Sequence, residues 1–292
     1  MNRRIVAFIA FVLLLACALT ACDIKLKSVS LSTGVTLNYA EQGVPPGKTV
    51  IFLHGYTDSW FSFSRVLPLL PPGIRALALS QRGHGDSQKP LCCYTQQDFA
   101  DDVDAFMEKK RINSAVIVGH SMGSLIAHQF AVSYPHRVQK LVLVGSTSTM
   151  VGNEEFQGFL DYINEEPEVV GDPDFVRYFQ EGTIYAGEGS NPVPAEFLDN
   201  IIAESLKAPF QTWQGALQGL LEEDHVQQLA NITAPTLLMW GDQDAIFSSA
   251  DQQALLDAIP GSTLITYENT GHAPHWERPD AFVTDLLSFL AQ

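Results

Sequence analysis

Ser114-Ala115-Val116-Ile117-Val118-Gly119-His120-Ser121-Met122-Gly123 is the stretch around which the rest of the chain is organised. Ala115 to Val118 is a short apolar, β-branched run with the character of a buried strand. Leu125 to Ala131, just beyond, has a helical pattern. Between them Gly-x-Ser-x-Gly places Ser121 at the apex of a strand, a sharp turn and a helix. Such a turn strains the backbone at the serine and leaves no room for side chains at 119 and 123, which glycine satisfies. The helix start aims the Met122 N–H and the positive dipole end at the space above the serine oxygen. A chain of this length carries the bare pattern by chance in roughly one case in ten. What decides is whether an acid, a base and a second N–H donor follow at matching places.

Working outward, Val29 to Leu31 and Val35 to Tyr39, split by Ser32-Thr33-Gly34, are expected as a hairpin. Thr49 to Leu53 is an apolar strand running into His54-Gly55-Tyr56. Ser59 to Leu70 has helical periodicity and stops at Pro71-Pro72-Gly73. Ile74 to Leu79 is a strand leading into the polar loop Gln81-Arg82-Gly83-His84-Gly85-Asp86-Ser87. Thr95 to Lys110 puts Phe99, Val103 and Phe106 on one helical face. Val138 to Val144 is another buried strand. Residues 147–230 then break the rhythm with helical tendency, interrupting glycines and prolines, and no strong strand. Pro235 to Trp240 restores strand character, followed by a helix over Ser249 to Ile259, a strand over Thr263 to Tyr267 and a closing helix over Ala281 to Leu290. Apolar strands alternating with helices predict an α/β fold with a mostly parallel sheet flanked by helices on both faces. The expected organisation is a core of residues 28–146 and 231–292, with 147–230 a helical cap over the strands' C-terminal ends.

At 292 residues and 46% hydrophobic content the chain can bury one large core. Its first 21 residues stand apart. Arg3 and Arg4 precede an apolar run, Ile5 to Leu15, too short to span a bilayer comfortably. Leu19-Thr20-Ala21-Cys22 resembles the lipobox of bacterial lipoproteins, which implies a signal peptide over 1–21, lipidation of Cys22 and a tether over 22–27. The protein is then expected to be exported and anchored to a membrane on the periplasmic or extracellular face. The alternative is an ordinary secretory signal with Cys22 incidental and a soluble secreted product. Cleavage would move the net charge from −16 to −18. Such acidity excludes nucleic acid as a partner, because no basic patch can neutralise phosphates. Lys25 and Lys27 are too few for a polybasic anchor. Cys17 would leave with the signal, and Cys92 and Cys93, as neighbours, are expected as two free or partly buried thiols rather than a structural disulfide. Their spacing makes no zinc site.

A serine hydroxyl needs a base, and the base needs an orienting acid. His272, in a loop after the last strand, is the expected base; His275 is expected to pack beside Trp276, and His120 to support the turn. His128, His136 and His225 are expected at the surface. For the acid, Trp240-Gly241-Asp242-Gln243-Asp244 follows a strand, and the order Ser, Asp, His suits one hydrolase architecture. Asp244 has the better reach, with Asp242 left to shape the turn. The second oxyanion donor is expected from the Tyr56 N–H after His54-Gly55. Each such donor is worth about 2.7–4 kcal/mol where measured.

His54-Gly55, Arg82-Gly83-His84-Gly85-Asp86-Ser87, Gly119-His120-Ser121-Met122-Gly123, Gly241-Asp242-Gln243-Asp244 and Gly271-His272 resemble, in order and spacing, the α/β-hydrolase superfamily. The resemblance covers residues 28–292 and is to the small-molecule esterase, lactonase and cofactor-free haloperoxidase branch. It implies that Ser121, Asp244 and His272 form a catalytic triad, with Tyr56 and Met122 as oxyanion donors. Branches with an aspartate nucleophile, dehalogenases and epoxide hydrolases, are disfavoured by Ser121. The expected activity is a serine hydrolase cleaving carboxylic esters, lactones or thioesters of small, largely apolar substrates through an acyl-enzyme, with no metal or organic cofactor. The same triad acting as a perhydrolase or haloperoxidase is one alternative, and an inert membrane-tethered binding protein on this fold is another. Of the aromatics in 147–230 (Phe156, Phe159, Tyr162, Phe175, Tyr178, Phe179, Phe210, Trp213), some are expected to line a pocket. This region holds sixteen acidic residues against Arg177 and Lys207, a net of −14.

Overall fold

The computed structural model describes residues 23–292. Its frame is an eight-stranded sheet. In chain order the strands are β1 (Lys25–Ser30), β2 (Thr36–Gln42), β3 (Lys48–Leu53), β4 (Ile74–Leu79), β5 (Ala115–His120), β6 (Val138–Val144), β7 (Thr236–Gly241) and β8 (Thr263–Tyr267). They lie in the order β1-β2-β4-β3-β5-β6-β7-β8. The first two strands are antiparallel additions at one edge, and every pairing from β4 onward is parallel. Strand β3 shows why both faces need cover. Ile51 and Leu53 enter one hydrophobic core, Val50 and Phe52 the other, and all four are fully buried. Each is worth about 1.5–3 kcal/mol relative to exposure. One face is covered by helices α1 (Gln96–Lys110) and α2 (Met122–Ser133), with Phe99, Val103, Phe106 and Phe130 in the core. The other face is covered by Phe63, Val66 and Leu67 and by the final helix, which buries Phe282, Leu286 and Leu290.

Local chemistry sets the boundaries. Thr95 caps α1 reciprocally, its hydroxyl accepting from the Asp98 N–H at 3.1 Å and its own N–H donating to Asp98 Oδ2 at 3.0 Å. Losing such a cap costs about 1 kcal/mol. Three expectations are corrected. Ser59–Leu70 is not an α-helix but two short 3₁₀ turns, Trp60–Phe63 and Leu67–Leu69; Pro68 has no N–H to donate and its ring blocks a continuing helix. The tether over 22–27 is shorter than expected, because Lys25-Leu26-Lys27 already pairs with Ala40 and its neighbours in β2. This is an exposed edge strand, where lysines belong. Cys92 and Cys93 are joined in a disulfide rather than free, the left-handed backbone at Cys93 (φ 73°) folding the two sulfurs together. Cys22 and the rest of the expected signal peptide lie outside the described residues.

Between β6 and β7 the chain inserts α3 (Glu154–Glu165), α4 (Pro173–Glu181), α5 (Ala195–Ser205) and α6 (Phe210–Glu222), with no strand. Ile163, Val176, Trp213 and Leu217 of the insertion, all at most 1% exposed, join the core on the α1–α2 face of the sheet, and Ile201 packs in a smaller cluster with Ala273 and Trp276.

Candidate active site

Strand order decides where the site forms. From β3 the sheet grows to one side through β4 and to the other through β5, so β3 and β5 are neighbours, with Leu53 beside Gly119. Ligand sites in such sheets gather at the carboxyl ends of the strands where the order reverses. Here β3 runs into Gly55 and Tyr56, and β5 into Ser121 and Met122. On the far side β7 and β8 are likewise neighbours, with Gly241 beside Tyr267, and deliver Asp244 and His272. Neighbouring strand ends therefore supply each pair.

Ser121 sits at φ 50°, ψ −122°, a conformation that non-glycine residues seldom adopt. The turn is held by the Ser121 N–H to the Val144 carbonyl at 2.9 Å and the Ser124 N–H to the Ser121 carbonyl at 2.7 Å. The flanking glycines answer to close approach. A Cβ at Gly119 would collide with the Gly123 carbonyl, and one at Gly123 with the carbonyls of Leu53 and His54. Met122 is the first residue of α2, so its N–H has no acceptor in the helix. Tyr56 turns its ring away from the serine, its hydroxyl donating to the Trp213 carbonyl at 2.6 Å. Neither the Tyr56 nor the Met122 amide finds an acceptor among the described residues.

The structure brings Asp244, not Asp242, to His272. His272 Nδ1 lies 2.8 Å from Asp244 Oδ2. The other oxygen of Asp244 accepts the N–H groups of Ile246 at 2.8 Å and Phe247 at 3.0 Å, which fixes the carboxylate's orientation. Asp242 is exposed and uses only its backbone, donating to the Tyr267 carbonyl. The outward nitrogen of His272, Nε2, is buried and has no partner among the described residues. His120 packs against the rings of His272 and His275, and its Nε2 donates to the His272 carbonyl at 3.1 Å. Burial, with His275 and His272 beside it, holds the His120 imidazole well below its usual pKa, so it stays neutral. His136 is exposed as expected, but His128 and His225 are not surface residues. The two rings lie in hydrogen-bond contact, both buried, linking α2 to the end of the insertion. Each hides the other, a pairing 97 residues apart that local pattern does not carry.

The Arg82 loop supports the strand end that carries Tyr56. The Gln81 N–H donates to His54 Nε2 and the Gln81 amide to the His54 carbonyl, both at 3.0 Å. The loop itself is locked by a two-point ion pair of Arg82 with Asp102, 2.7 Å at each contact.

Above Ser121 is a cavity of about 680 Å³, bounded also by Tyr56, Met122 and His272. Its walls are largely aromatic: Phe156, Phe159, Tyr162, Phe175, Tyr178 and Phe179 from the insertion. Phe210 and Trp213 are not among the lining; Trp213 is fully buried under Tyr56. The carboxyl groups of the wall are Asp58, Glu155 and Glu181, with no lysine or arginine among the described residues. Sequence reasoning passed over Asp58, Gln180, Thr183 and Glu277, which the structure places around the site. Only Asp58, two residues after Tyr56, carried a local signal.

Comparison with known proteins agrees with this architecture. An uncharacterized hydrolase, YugF, of Bacillus subtilis (strain 168) is 28% identical, over 88% of this chain and 95% of that protein. A 3-oxoadipate enol-lactonase 2 of Acinetobacter baylyi is 26% identical, over 88% and 93%. Among solved structures, an esterase from Exiguobacterium antarcticum superposes with a TM-score of 0.79 at 21% identity, over 91% of this chain and 99% of that one. These similar proteins are thus a hydrolase, an enol-lactonase and an esterase. The family model for the alpha/beta hydrolase fold matches residues 48–279, and the protein belongs to that family.

Proposed function

We propose that the protein is a serine hydrolase that cleaves carboxylic esters, or the related lactones and thioesters, of small, largely apolar substrates. The observation that carries this reading is the buried Asp244–His272 pair: His272, whose Nε2 has no partner among the described residues, lines the same cavity as the strained Ser121. In this mechanism Ser121 Oγ attacks the substrate carbonyl and its proton passes to His272 Nε2. The resulting oxyanion is held by the N–H groups of Tyr56 and Met122. Collapse breaks the bond to the leaving group, which takes the proton from His272. Water then attacks the acyl-enzyme by the same proton route. Asp244 keeps the Nδ1–H tautomer and stabilises the imidazolium. A cavity of 680 Å³ with aromatic walls falls in the range of sites for small organic molecules. In the same reading residues 147–230 act as a cap, residues 1–21 as an export signal and Cys22 as a lipid anchor. The test is labelling by a fluorophosphonate probe together with turnover of a neutral aryl ester. Ser121→Ala is expected to lose both while keeping the wild-type melting temperature. Labelling at another residue, or turnover by Ser121→Ala within threefold of wild type, overturns the reading.

A further inference from the structure

One short segment of the insertion, Gln180 to Thr183, is bonded to both loops that the proposed chemistry needs. Gln180 closes α4 and is 1% exposed. Its Nε2 lies 3.2 Å from Thr57 Oγ1, 3.2 Å from Asp58 Oδ1 and 2.8 Å from Ser205 Oγ. Ser205 gives its own proton to the Ile201 carbonyl, so its oxygen is free to accept from Gln180. Thr57 and Asp58 follow Tyr56 directly. Their turn is closed by the Asp58 N–H to the Gly55 carbonyl at 3.2 Å, and it holds Thr57 at φ 66°. A β-branched residue in the left-handed region costs about 1–3 kcal/mol and persists only where its surroundings hold it. Asp58 Oδ2 is held from the core side by Ser62 Oγ at 3.1 Å.

The other end of the segment reaches the base. The Gln180 carbonyl accepts the Thr183 hydroxyl at 2.7 Å and its N–H at 3.1 Å, and the Thr183 carbonyl accepts the His272 N–H at 2.8 Å. Two residues on, the Tyr185 N–H donates to Glu277 Oε2 at 3.3 Å, and the same carboxylate accepts the Gly271 N–H. The chains run so close that a Cβ on Gly271 would lie 2.6 Å from the Tyr185 nitrogen.

We propose that Gln180 and Thr183 are positioning residues: a clamp from the insertion that sets the Tyr56 N–H and His272 at the spacing the tetrahedral intermediate requires. The clamp rests on the serine-hydrolase reading above. It makes the insertion part of the catalytic frame as well as the pocket wall. The turn carrying Tyr56 is strained and needs an external hold, and the amide of Gln180 supplies it.

The experiment is a double-mutant cycle in the full chain, using Gln180→Met, which keeps the volume and removes the amide, and Thr57→Val, which removes the hydroxyl. The measurements are kcat and KM on a neutral aryl ester, affinity for an aryl trifluoromethyl ketone, which forms a tetrahedral adduct, and melting temperature. Each single variant is expected to lower kcat and ketone affinity together by about 10–100-fold with KM nearly unchanged. The double variant is expected to be little worse than Gln180→Met alone, because the amide's bond to Thr57 is already lost there. Thr57→Ser, which restores the hydroxyl, is expected to recover wild-type kcat. If Gln180→Met does not fold, the Thr57→Val and Thr57→Ser pair decides alone. Unchanged ketone affinity, a loss that follows melting temperature only, or no recovery in Thr57→Ser overturns the clamp. Ser121→Ala run alongside separates the two claims: if it stays active, the serine mechanism fails, whereas if it is dead and the clamp variants are normal, only the clamp fails.

Discussion

His272 Nδ1 and Asp244 Oδ2 lie 2.8 Å apart with both side chains sealed from solvent, 2% and 0% exposed. The carboxylate has no freedom to serve another partner, because two consecutive backbone N–H groups, of Ile246 and Phe247, hold its second oxygen. A buried carboxylate with both oxygens held in this way imposes one tautomer on its histidine and leaves Nε2 as the proton acceptor.

Replacing that oxygen by an amide tests the pair. Asp244→Asn keeps the shape but offers N–H groups where the imidazole needs an acceptor, so kcat is expected to fall about 10⁴-fold. Asp242→Asn, at an exposed side chain with no bond to the site, is expected to leave kcat essentially unchanged. Steady-state rates on one neutral ester check both, and the reverse ranking would show that the wrong carboxylate has been assigned.

Two buried acids contribute a pH dependence of stability whose sign their burial sets. Burial pushes the Asp58 carboxyl up to about 7, against hydrogen bonds from Ser62 and Gln180 and the nearby His272, with Glu204 adding to the rise. His275 stands behind Ser62, its Nε2 3.1 Å from the hydroxyl. Burial likewise pushes Glu277 up to about 7, against the N–H groups of Gly271, Tyr185 and Ala273. Between about pH 4 and 7 the folded protein therefore keeps protons that the unfolded chain has released. These two groups contribute stability that falls as pH rises through that window, opposed over its lower part by the buried neutral histidines, whose lowered pKa values make stability rise with pH. For Asp58, a rise from 3.8 to about 7 corresponds to a cost on the order of 4 kcal/mol above pH 7. Asp58→Asn should remove this group's share of the dependence, so the melting temperature of wild type relative to Asp58→Asn should fall between pH 5 and 8. A difference between wild type and Asp58→Asn that does not change with pH over this range would refute the assignment.

The site was legible where its chemistry is contiguous in the chain. Gly119 to Gly123, His54 to Tyr56 and the Asp244 and His272 loops each follow a strand whose apolar run is unmistakable, so strand order alone brings them together. What the sequence hid is contact at a distance. Nothing local shows that Gln180 meets Thr57 and Asp58, or that His128 and His225 bury each other. The expected helix over Ser59–Leu70 erred for another reason: its apolar spacing is real and buries Phe63, Val66 and Leu67, but Pro68 confines it to 3₁₀ turns.

The anchor proposal is tested outside the described residues. In a bacterial host that processes lipoproteins, Cys22→Ser is expected to leave the precursor unprocessed or move the protein from the membrane to the soluble fraction. Fractionation with mass measurement of the N-terminus reads this directly. Unaltered processing and partition would remove the lipid anchor from the account.

Charge at the pocket mouth supplies the last prediction. Glu155 and Glu181 are the charged residues of the cavity wall, burial holding Asp58 partly protonated near neutral pH, and among the described residues the wall has no lysine or arginine. Glu181 is paired with Arg177 at 3.4 Å, but both side chains are more than 40% exposed, and such pairs in water are worth little. The surrounding insertion carries a net of −14. A field of one sign over a cleft repels like-charged ligands before they dock. Neutral or cationic esters are therefore expected to outrun carboxylate-bearing esters of equal size, chiefly in kcat/KM. The screening length falls from about 8 Å at 0.15 M salt to about 3 Å at 1 M, so the preference should shrink as salt is added. The measurement is kcat/KM for a matched neutral and anionic pair at low and high ionic strength. A ratio that does not move with salt would make the acidic insertion a solubility face only, and would leave any preference to the shape of the aromatic walls.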